Sequence, residues 1–340
     1  MERILIIRLS AIGDVLLTTL LVRVLRNRYP EAIIDFLVKE AYVSLLHESP
    51  HIDNVLPFSP RGGWRELRTI IRRIRRNRYD GIVDLQASPR TFLFRLLSGS
   101  VRRVRHRPRR GRRFLLVKFG LDTYKNISPI PLRYLESVAD WDVEDDGRGL
   151  EFVVQEEDRE SILSKMRDDY SPDGRKMIVL APGAGRATKR WLPEGFSDVG
   201  GYFSKQGYTV VLTGGVQDKE ICERVSEKIK GDVINLAGEC TLGETAALLE
   251  RSALLITNDT GVMHMASALG RKVVALFGPT THHLGFFPFR VPCVVVEKLL
   301  SCRPCSYHGT ASCPERHFRC MKEISSADVI DAAETLLKKG

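Results

Sequence analysis

Residues 254–280 read LLITNDTGVMHMASALGRKVVALFGPT, and this stretch decides the fold. An apolar run from Ala253 to Thr257 has the length and branching of a buried strand. A turn, Asn258-Asp259-Thr260-Gly261, follows at once, and an apolar stretch of helical length occupies Val262 to Leu269. Lys272 to Phe277 is a second buried strand, ending in Gly278-Pro279-Thr280. Strand, turn, helix and strand in this order form a βαβ unit, whose strands lie parallel and are covered on both faces. The turn points the free N–H groups of the first helical turn outward from the strand's carboxyl end, where the helix dipole favours an anion. Thr260 adds a hydroxyl, Gly261 admits a phosphate close to the backbone, and His264 lies one turn in. Ordinary capping by Asp259 or Thr260 accounts for one of these residues, but not for Asp, Thr, Gly and His together.

Working outward, the pattern repeats. Met177–Leu180, Tyr208–Leu212 and Asp232–Leu236 read as strands. Pro193–Lys205, Asp218–Lys230 and Thr241–Glu250 read as helices, the last opened by a capping box from Thr241 to Glu244. A final helix spans Ala327–Lys338, with Ser326 as its expected N-cap. In the amino-terminal half, strands at Ile4–Ile7, Ile33–Val38 and Gly81–Leu85 alternate with helices from about Asp14 and at Thr91–Leu97. The fold class is α/β, with two Rossmann-like, doubly wound domains facing a central cleft. The acidic, glycine-bearing stretches at 141–149 and 168–176 are candidate boundaries, and the second is preferred because a clean βα series restarts after it. The expected domains are residues 1–170 and 171–325, with a terminal helix at 326–340.

Two more strand-end loops carry chemistry. Ala181 to Trp191 reads APGAGRATKRW. Gly183 and Gly185 allow a close backbone path, and Lys189 can meet the charge of a departing diphosphate without a metal. Ser10-Ala-Ile-Gly-Asp14 is a strand-to-helix turn in which Asp14 either deprotonates an acceptor hydroxyl or merely caps the helix. There is no Gly-x-x-x-x-Gly-Lys-Ser/Thr phosphate loop and no Gly-x-Gly-x-x-Gly after the first strand, which argues against P-loop hydrolysis and dinucleotide redox chemistry. No Asp-x-Asp pair stands in a loop placed to hold a divalent cation.

Composition is that of a globular protein, with 43% apolar and 28% charged residues in a chain of 340. No apolar run reaches the length of a membrane span, and charges interrupt the amino terminus, so a cytoplasmic protein is expected. The net charge of +10 is concentrated: residues 61–113 hold eighteen arginines against Glu66, Asp80 and Asp84. Such a segment is either a set of solvated helix faces or a surface for nucleic acid, phospholipid or a phosphorylated glycolipid. Of seven cysteines, Cys302, Cys305, Cys313 and Cys320 cluster near His308 and His317. In a cytosolic chain that spacing fits a structural zinc site better than disulfides.

Taken together, Ile-Arg-Leu-Ser-Ala-Ile-Gly-Asp14, Lys189-Arg-Trp191, Asp259-Thr-Gly-x-x-His264, Phe277-Gly-Pro-Thr280 and Cys302-Arg-Pro-Cys305 make the chain resemble the ADP-heptose:lipopolysaccharide heptosyltransferases of glycosyltransferase family 9. The resemblance runs along nearly the whole chain and implies a GT-B fold and metal-independent, inverting transfer of heptose from ADP-heptose. It implies Asp14 as general base and Thr188 and Lys189 on the diphosphate. Thr260 and Gly261 would form the backbone anion site, with Asp259 and His264 on the sugar or phosphate side and Glu220 and Cys240 at the adenosine. The acceptor, an anionic lipid A-linked core glycolipid, would meet Ser10, Gly13, Arg61 and Arg65 at the cytoplasmic face of the inner membrane. Nucleic acid is then no expected partner. A family 9 transferase with another nucleotide sugar, an epimerase on the same fold, and a non-catalytic polyanion-binding protein are the competing readings. The step here is Trp191-Leu192-Pro193 where the family has Trp-Pro.

Overall fold

The computed structural model describes residues 1–124, 126–166 and 176–338. The chain divides into two units, Met1–Arg109 with Ser128–Val153, and Arg110–Ile127 with Val154–Gly340. Unit 1 contains β1 (Arg3–Ile7), α1 (Ile12–Leu16), α2 (Thr19–Arg28), β2 (Ile33–Lys39), β3 (Asn54–Phe58), α3 (Gly63–Asn77), β4 (Gly81–Asp84), α4 (Pro89–Leu96) and β5 (Arg102–Arg105). Helix α5 (Arg110–Phe119) belongs to unit 2, and α6 (Ile130–Glu136) returns to unit 1. The five strands form a parallel sheet in the order β3-β2-β1-β4-β5. Helices α3 and α4 cover one face, where Ile70, Ile74 and Phe94 pack on Leu5, Ile7, Leu37 and Ile82. The arginines of α3 occupy the opposite, exposed side, so hydrophobic periodicity alone orients this helix.

Unit 2 continues with α7 (Glu156–Met166), β6 (Met177–Ala181), α8 (Pro193–Lys205), β7 (Thr209–Leu212), α9 (Lys219–Ser226), β8 (Val233–Asn235) and α10 (Leu242–Arg251). It ends with β9 (Leu254–Asn258), α11 (Gly261–Ala268), β10 (Val273–Phe277), β11 (Cys293–Glu297), α12 (Arg319–Lys322) and α13 (Ser326–Lys338). Its six parallel strands run β11-β10-β9-β6-β7-β8, the doubly wound Rossmann order. The expected elements of this half are present, with ends shifted by a residue or two except at α9, which stops at Ser226. The α/β class with two Rossmann-like domains is as expected.

Several boundaries differ from the sequence reading. The last break between units falls at 153/154, not at 170/171, and residues 110–127 of the expected first domain belong to unit 2. Most of the preferred boundary stretch, residues 167–175, lies outside the described residues. Helix α7 joins unit 2 because Arg159 pairs with Glu250 at 2.7 Å and Lys165 with Glu244 at 2.7 Å. The other candidate stretch is held inside unit 1. Arg23, only 1% exposed, grips Asp146 through two bonds of 2.6 and 2.9 Å and also reaches the Gly149 carbonyl and Glu151. The terminal helix is no separate piece, since Val329, Ala333 and Leu336 belong to the core of unit 2. Ser325, not Ser326, caps it, accepting the Asp328 amide at 3.1 Å while Asp328 accepts the Ser325 amide. The first helix begins at Ile12 rather than Asp14 and is broken before α2. Strands β3, β5 and β11 were missed; β5 is the run Arg-Arg-Val-Arg on the sheet edge, where charge replaces apolar patterning and blocks further pairing.

The capping box opening α10 forms as expected, with Thr241 and Glu244 exchanging bonds of 3.1 and 2.7 Å. Burial pushes the Glu244 carboxyl upward, but Lys165, Ser161 and the Thr241 amide outweigh it and hold it at about 2. A folded value below the ordinary 4.5 means the stabilisation is present at neutral pH and is lost as pH falls from about 4.5 towards about 2. Glu244→Gln should therefore lower neutral-pH stability by about 2 kcal/mol and flatten the acid limb of a denaturation-versus-pH profile. An unchanged acid limb would remove this role from Glu244.

Candidate active site

In unit 2 the strand order changes direction between β6 and β9, so the loops leaving these strands diverge and leave a crevice at the carboxyl edge of the sheet. The loops after β6, β9 and β10 meet there. Asn258, fully buried, accepts the Trp191 amide at 3.0 Å and donates to the carbonyls of Pro182 and Gly183 at 2.8 and 3.3 Å. It therefore ties the loop after β6 to the end of β9. Gly183 has no room for a side chain, because a Cβ there would stand 2.2 Å from Cγ of the buried Asp218.

Beside this lock lies a charged group. Lys189 Nζ is 2.7 Å from Asp259 Oδ2 and donates to the Asp259 carbonyl at 3.2 Å. Thr280 Oγ1 donates to the same Oδ2 at 2.7 Å, which brings the Gly278–Thr280 loop against the first, as the adjacency of β9 and β10 requires. Asp259 is 7% exposed and its Oδ2 takes both of these partners, which makes it a positioner of Lys189. Thr260 occupies the N-cap of α11 with extended backbone, yet its side chain makes no cap hydrogen bond. The amide groups at Gly261 and beyond thus begin a helix without a side-chain cap at the crevice. His264 is buried one turn further along α11.

The remaining donor-side residues are dispersed around this centre. The Thr188 hydroxyl donates to the Thr310 carbonyl at 2.9 Å and accepts the Thr310 amide at 2.7 Å, so it fixes the loop rather than facing a ligand freely. Glu220 is exposed in the first turn of α9, and Cys240 is half-buried after β8, its thiol pushed up to about 11 by burial. The two loops adjoin, since Gly238 N–H donates to the Gly214 carbonyl at 2.8 Å.

The four clustered cysteines are free thiols. Burial, then the neighbouring Cys313 and Cys302, pushes the Cys305 thiol up, and burial raises Cys320 to about 11. Cys302 Sγ lies 3.8 Å from His317 Nε2. Among the described residues no group of three or more His, Cys, Asp or Glu side chains is arranged to hold a metal ion. The motif's Arg303 has a clear task instead. It is 6% exposed, pairs with Glu297 at 2.7 Å, and donates to the Gly278, Phe277 and Thr280 carbonyls, clamping the loop that carries Thr280.

In unit 1, Asp14 sits in the third position of α1. Its Oδ1 is 2.5 Å from Arg8 Nη2, and Oδ2 accepts the Ala11 amide at 3.3 Å. Arg8 in turn donates to the Leu85 carbonyl at 2.6 Å, and the Gln86 side-chain carbonyl accepts the amides of Leu9 and Ser10 at 3.0 and 3.3 Å. The end of β4, beside β1 at this unit's own switch point, therefore fixes Arg8 and the loop after β1, and Arg8 holds Asp14. Gly13 is buried inside α1, while Arg61 and Arg65 are exposed at the head of α3. A cavity of about 530 Å³ in this unit is lined by Arg95, Arg103, Arg105, Arg107, Arg109 and Arg133, with Glu136 and Asp140. His106 lines it too, 8% exposed, its value lowered to about 4 by burial and then by Arg8. Its ring packs edge-on against Tyr134 at 5.0 Å, and the Arg8 guanidinium lies 5.9 Å from the Tyr134 centroid.

Sequence reasoning named Asp14, Lys189 and Asp259 but missed the residues that hold them: Arg8, Gln86, Thr280 and Arg303. Arg8 and Thr280 lay inside quoted motifs, and an arginine between two cysteines was a usable signal. Gln86 and the cavity-lining Arg133 had none, because their neighbours are remote in sequence.

The family model described as glycosyltransferase family 9 (heptosyltransferase) matches residues 67–311. The chain is 30% identical over 293 residues to lipopolysaccharide heptosyltransferase 2 of Salmonella typhimurium, covering 82% of this chain and 83% of that protein. Among solved structures, the glycosyl transferase family 9 protein of Veillonella parvula superposes with a TM-score of 0.82 at 26% identity, covering 100% of this chain and 98% of that one. The E. coli ADP-heptose lipopolysaccharide heptosyltransferase II does so with a TM-score of 0.77 at 25% identity, covering 100% and 99%. These likenesses bear out the GT-B fold class. The chain belongs to glycosyltransferase family 9, the heptosyltransferases, and is a glycosyltransferase.

Proposed function

We propose that this enzyme transfers heptose from ADP-heptose to a hydroxyl of an anionic, lipid A-linked core acceptor, with inversion at the anomeric carbon. The observation that carries the reading is the Lys189–Asp259–Thr280 group beside the uncapped amino end of α11. A fixed cation next to a helix N-terminus is the arrangement a departing diphosphate needs. The relatives' names supply the sugar and the nucleotide, and the arginine-lined cavity of unit 1 suits an acceptor carrying phosphates or carboxylates.

In the proposed step the acceptor oxygen forms a bond to the anomeric carbon as Asp14 takes its proton. The bond from that carbon to the β-phosphate oxygen breaks, and ADP leaves with the electron pair. Arg8 fixes the orientation of the Asp14 carboxylate. Lys189 and the amides of Thr260 and Gly261 meet the charge that develops on the diphosphate, without a metal. Asp259, Thr280 and Thr188 hold these groups in place. His264, Glu220 and Cys240 complete the donor side, and Ser10, Gly13, Arg61 and Arg65 the acceptor side.

Asp14→Ala should lower transfer by about a hundred- to ten-thousandfold while leaving ADP affinity nearly unchanged in calorimetry. A variant that still transfers at the parent rate removes Asp14 as base. Lys189→Ala should reduce kcat about a hundred- to a thousandfold, and Asp259→Asn should follow in the same direction by a smaller factor, since it mispositions the lysine without removing it. Equal kcat in all three proteins would dismiss the cradle as the leaving-group site. A thermal-shift series with ADP, UDP, GDP and CMP should give the largest stabilisation with ADP. A larger shift with another nucleotide replaces the donor assignment, and tight RNA binding with no ADP response makes the chain a polyanion-binding protein.

A further inference from the structure

Between β11 and α12, residues 303–310 touch both of the loops whose side chains converge on Asp259 Oδ2. At the start of this segment, Arg303 donates to carbonyls of the Thr280 loop, and the amides of Cys305 and Ser306 both donate to the Pro279 carbonyl, at 3.1 and 3.4 Å. At its end, Thr310 pairs with Thr188. The Thr310 amide donates to the Thr188 hydroxyl at 2.7 Å, and the Thr310 carbonyl accepts the Thr188 hydroxyl at 2.9 Å and the Thr188 amide at 3.2 Å. One short strap thus ties the Thr280 loop and the Lys189 loop together.

Gly309, just before the second anchor, lies against the stem of Lys189. A Cβ there would stand 3.0 Å from Lys189 Cγ, 3.0 Å from Arg186 Cβ and 3.3 Å from the Thr188 hydroxyl oxygen. Its φ of +80° lies in the left-handed region. The conformation by itself admits asparagine as well as glycine, but the approach to Lys189 leaves no room for a side chain of either kind. Lysine has four rotatable side-chain bonds, so ion pairing at the ammonium alone leaves the stem several rotamers. Lys189 is held at both ends: by Asp259 at Nζ, 2.7 Å away, and by the Gly309 backbone at the stem.

We propose that Gly309 is a positioning residue of the transfer reaction, its bare backbone walling the Lys189 stem so that the ammonium stays aimed at the departing diphosphate. The inference rests on the reading of Lys189 as the leaving-group cation. Rate falls steeply with misplacement of such a group, by about a hundredfold for about 1 Å. A side chain at residue 309 displaces the stem by less than that, so a smaller loss follows.

Gly309→Ala and Gly309→Asn separate this role from a mere turn requirement. Asparagine tolerates positive φ, so a turn requirement alone would leave Gly309→Asn close to the parent. Expected instead is a kcat about five- to tenfold lower in both variants, with KM for ADP-heptose and the melting temperature of Gly309→Asn nearly unchanged. Combined with Lys189→Ala, neither substitution should lower kcat further, because no stem remains to be displaced. A parent-like kcat in Gly309→Asn, or a loss of the same size in the Lys189→Ala background, overturns the role of Gly309 and leaves the leaving-group reading intact. An undiminished kcat in Lys189→Ala alone overturns that reading and this inference with it.

Discussion

The carboxamide of Asn258 is the interaction on which unit 2 depends. It sits with no exposure at the end of β9 and uses both its oxygen and its nitrogen on the backbone of the loop after β6. Each such bond adds only about 1 kcal/mol net, but removing the amide would leave a buried Trp191 N–H and the Pro182 carbonyl unsatisfied, which costs more than the bonds themselves contribute. Trp191, so held, packs edge-on against Phe196 and donates its indole N–H to the Ile324 carbonyl. One side chain therefore couples the strand end, the Lys189 loop and the segment leading into α13. The position of Lys189 follows from this lock.

Charge in the crevice is arranged on the same principle of exhausted partners. Asp259 accepts from Lys189 and Thr280, and Arg303 is consumed by carbonyls of the Thr280 loop and by Glu297. These groups are largely buried, so each needs its partner to offset desolvation. What stays open to a ligand is backbone: the first amides of α11, which no side chain caps. A site built from a helix terminus and one held lysine suits an anion whose charge grows during reaction, because little has to reorganise as it does so.

Unit 1 solves the opposite problem. Fifteen arginines within residues 61–109 repel one another, and burying them would be prohibitive. The fold places them on the outer side of α3, on the edge strand β5 and around the cavity, while Ile70, Ile74 and Phe94 supply the core. The acids that could have neutralised them are used as backbone acceptors. Both the cavity and the outer layer thus remain strongly positive, and this is a property of placement more than of composition.

Strand and helix identity in unit 2 was legible in the residues because its strands are continuous apolar runs ended by small or capping residues, as in Leu254–Asn258 and Val273–Phe277. The Rossmann-like class and the three strand-end loops followed from that local pattern. So did Lys189 and Asp259 as chemically notable residues, though not their mutual bond. Edge strands such as Arg102–Arg105 were hidden because exposure removes the apolar signal. Thr188 could not be told from a ligand-facing hydroxyl until Thr310, distant in sequence, was seen to take both of its bonding directions. Likewise the unit boundary at 153/154 rests on Arg23 reaching Asp146 and on Arg159 reaching Glu250. The sequence by itself determined which segments become strands and helices, since that depends on periodicity over a few residues. Only the tertiary structure decided which polar groups are satisfied and which stay open, since each partner comes from a different element.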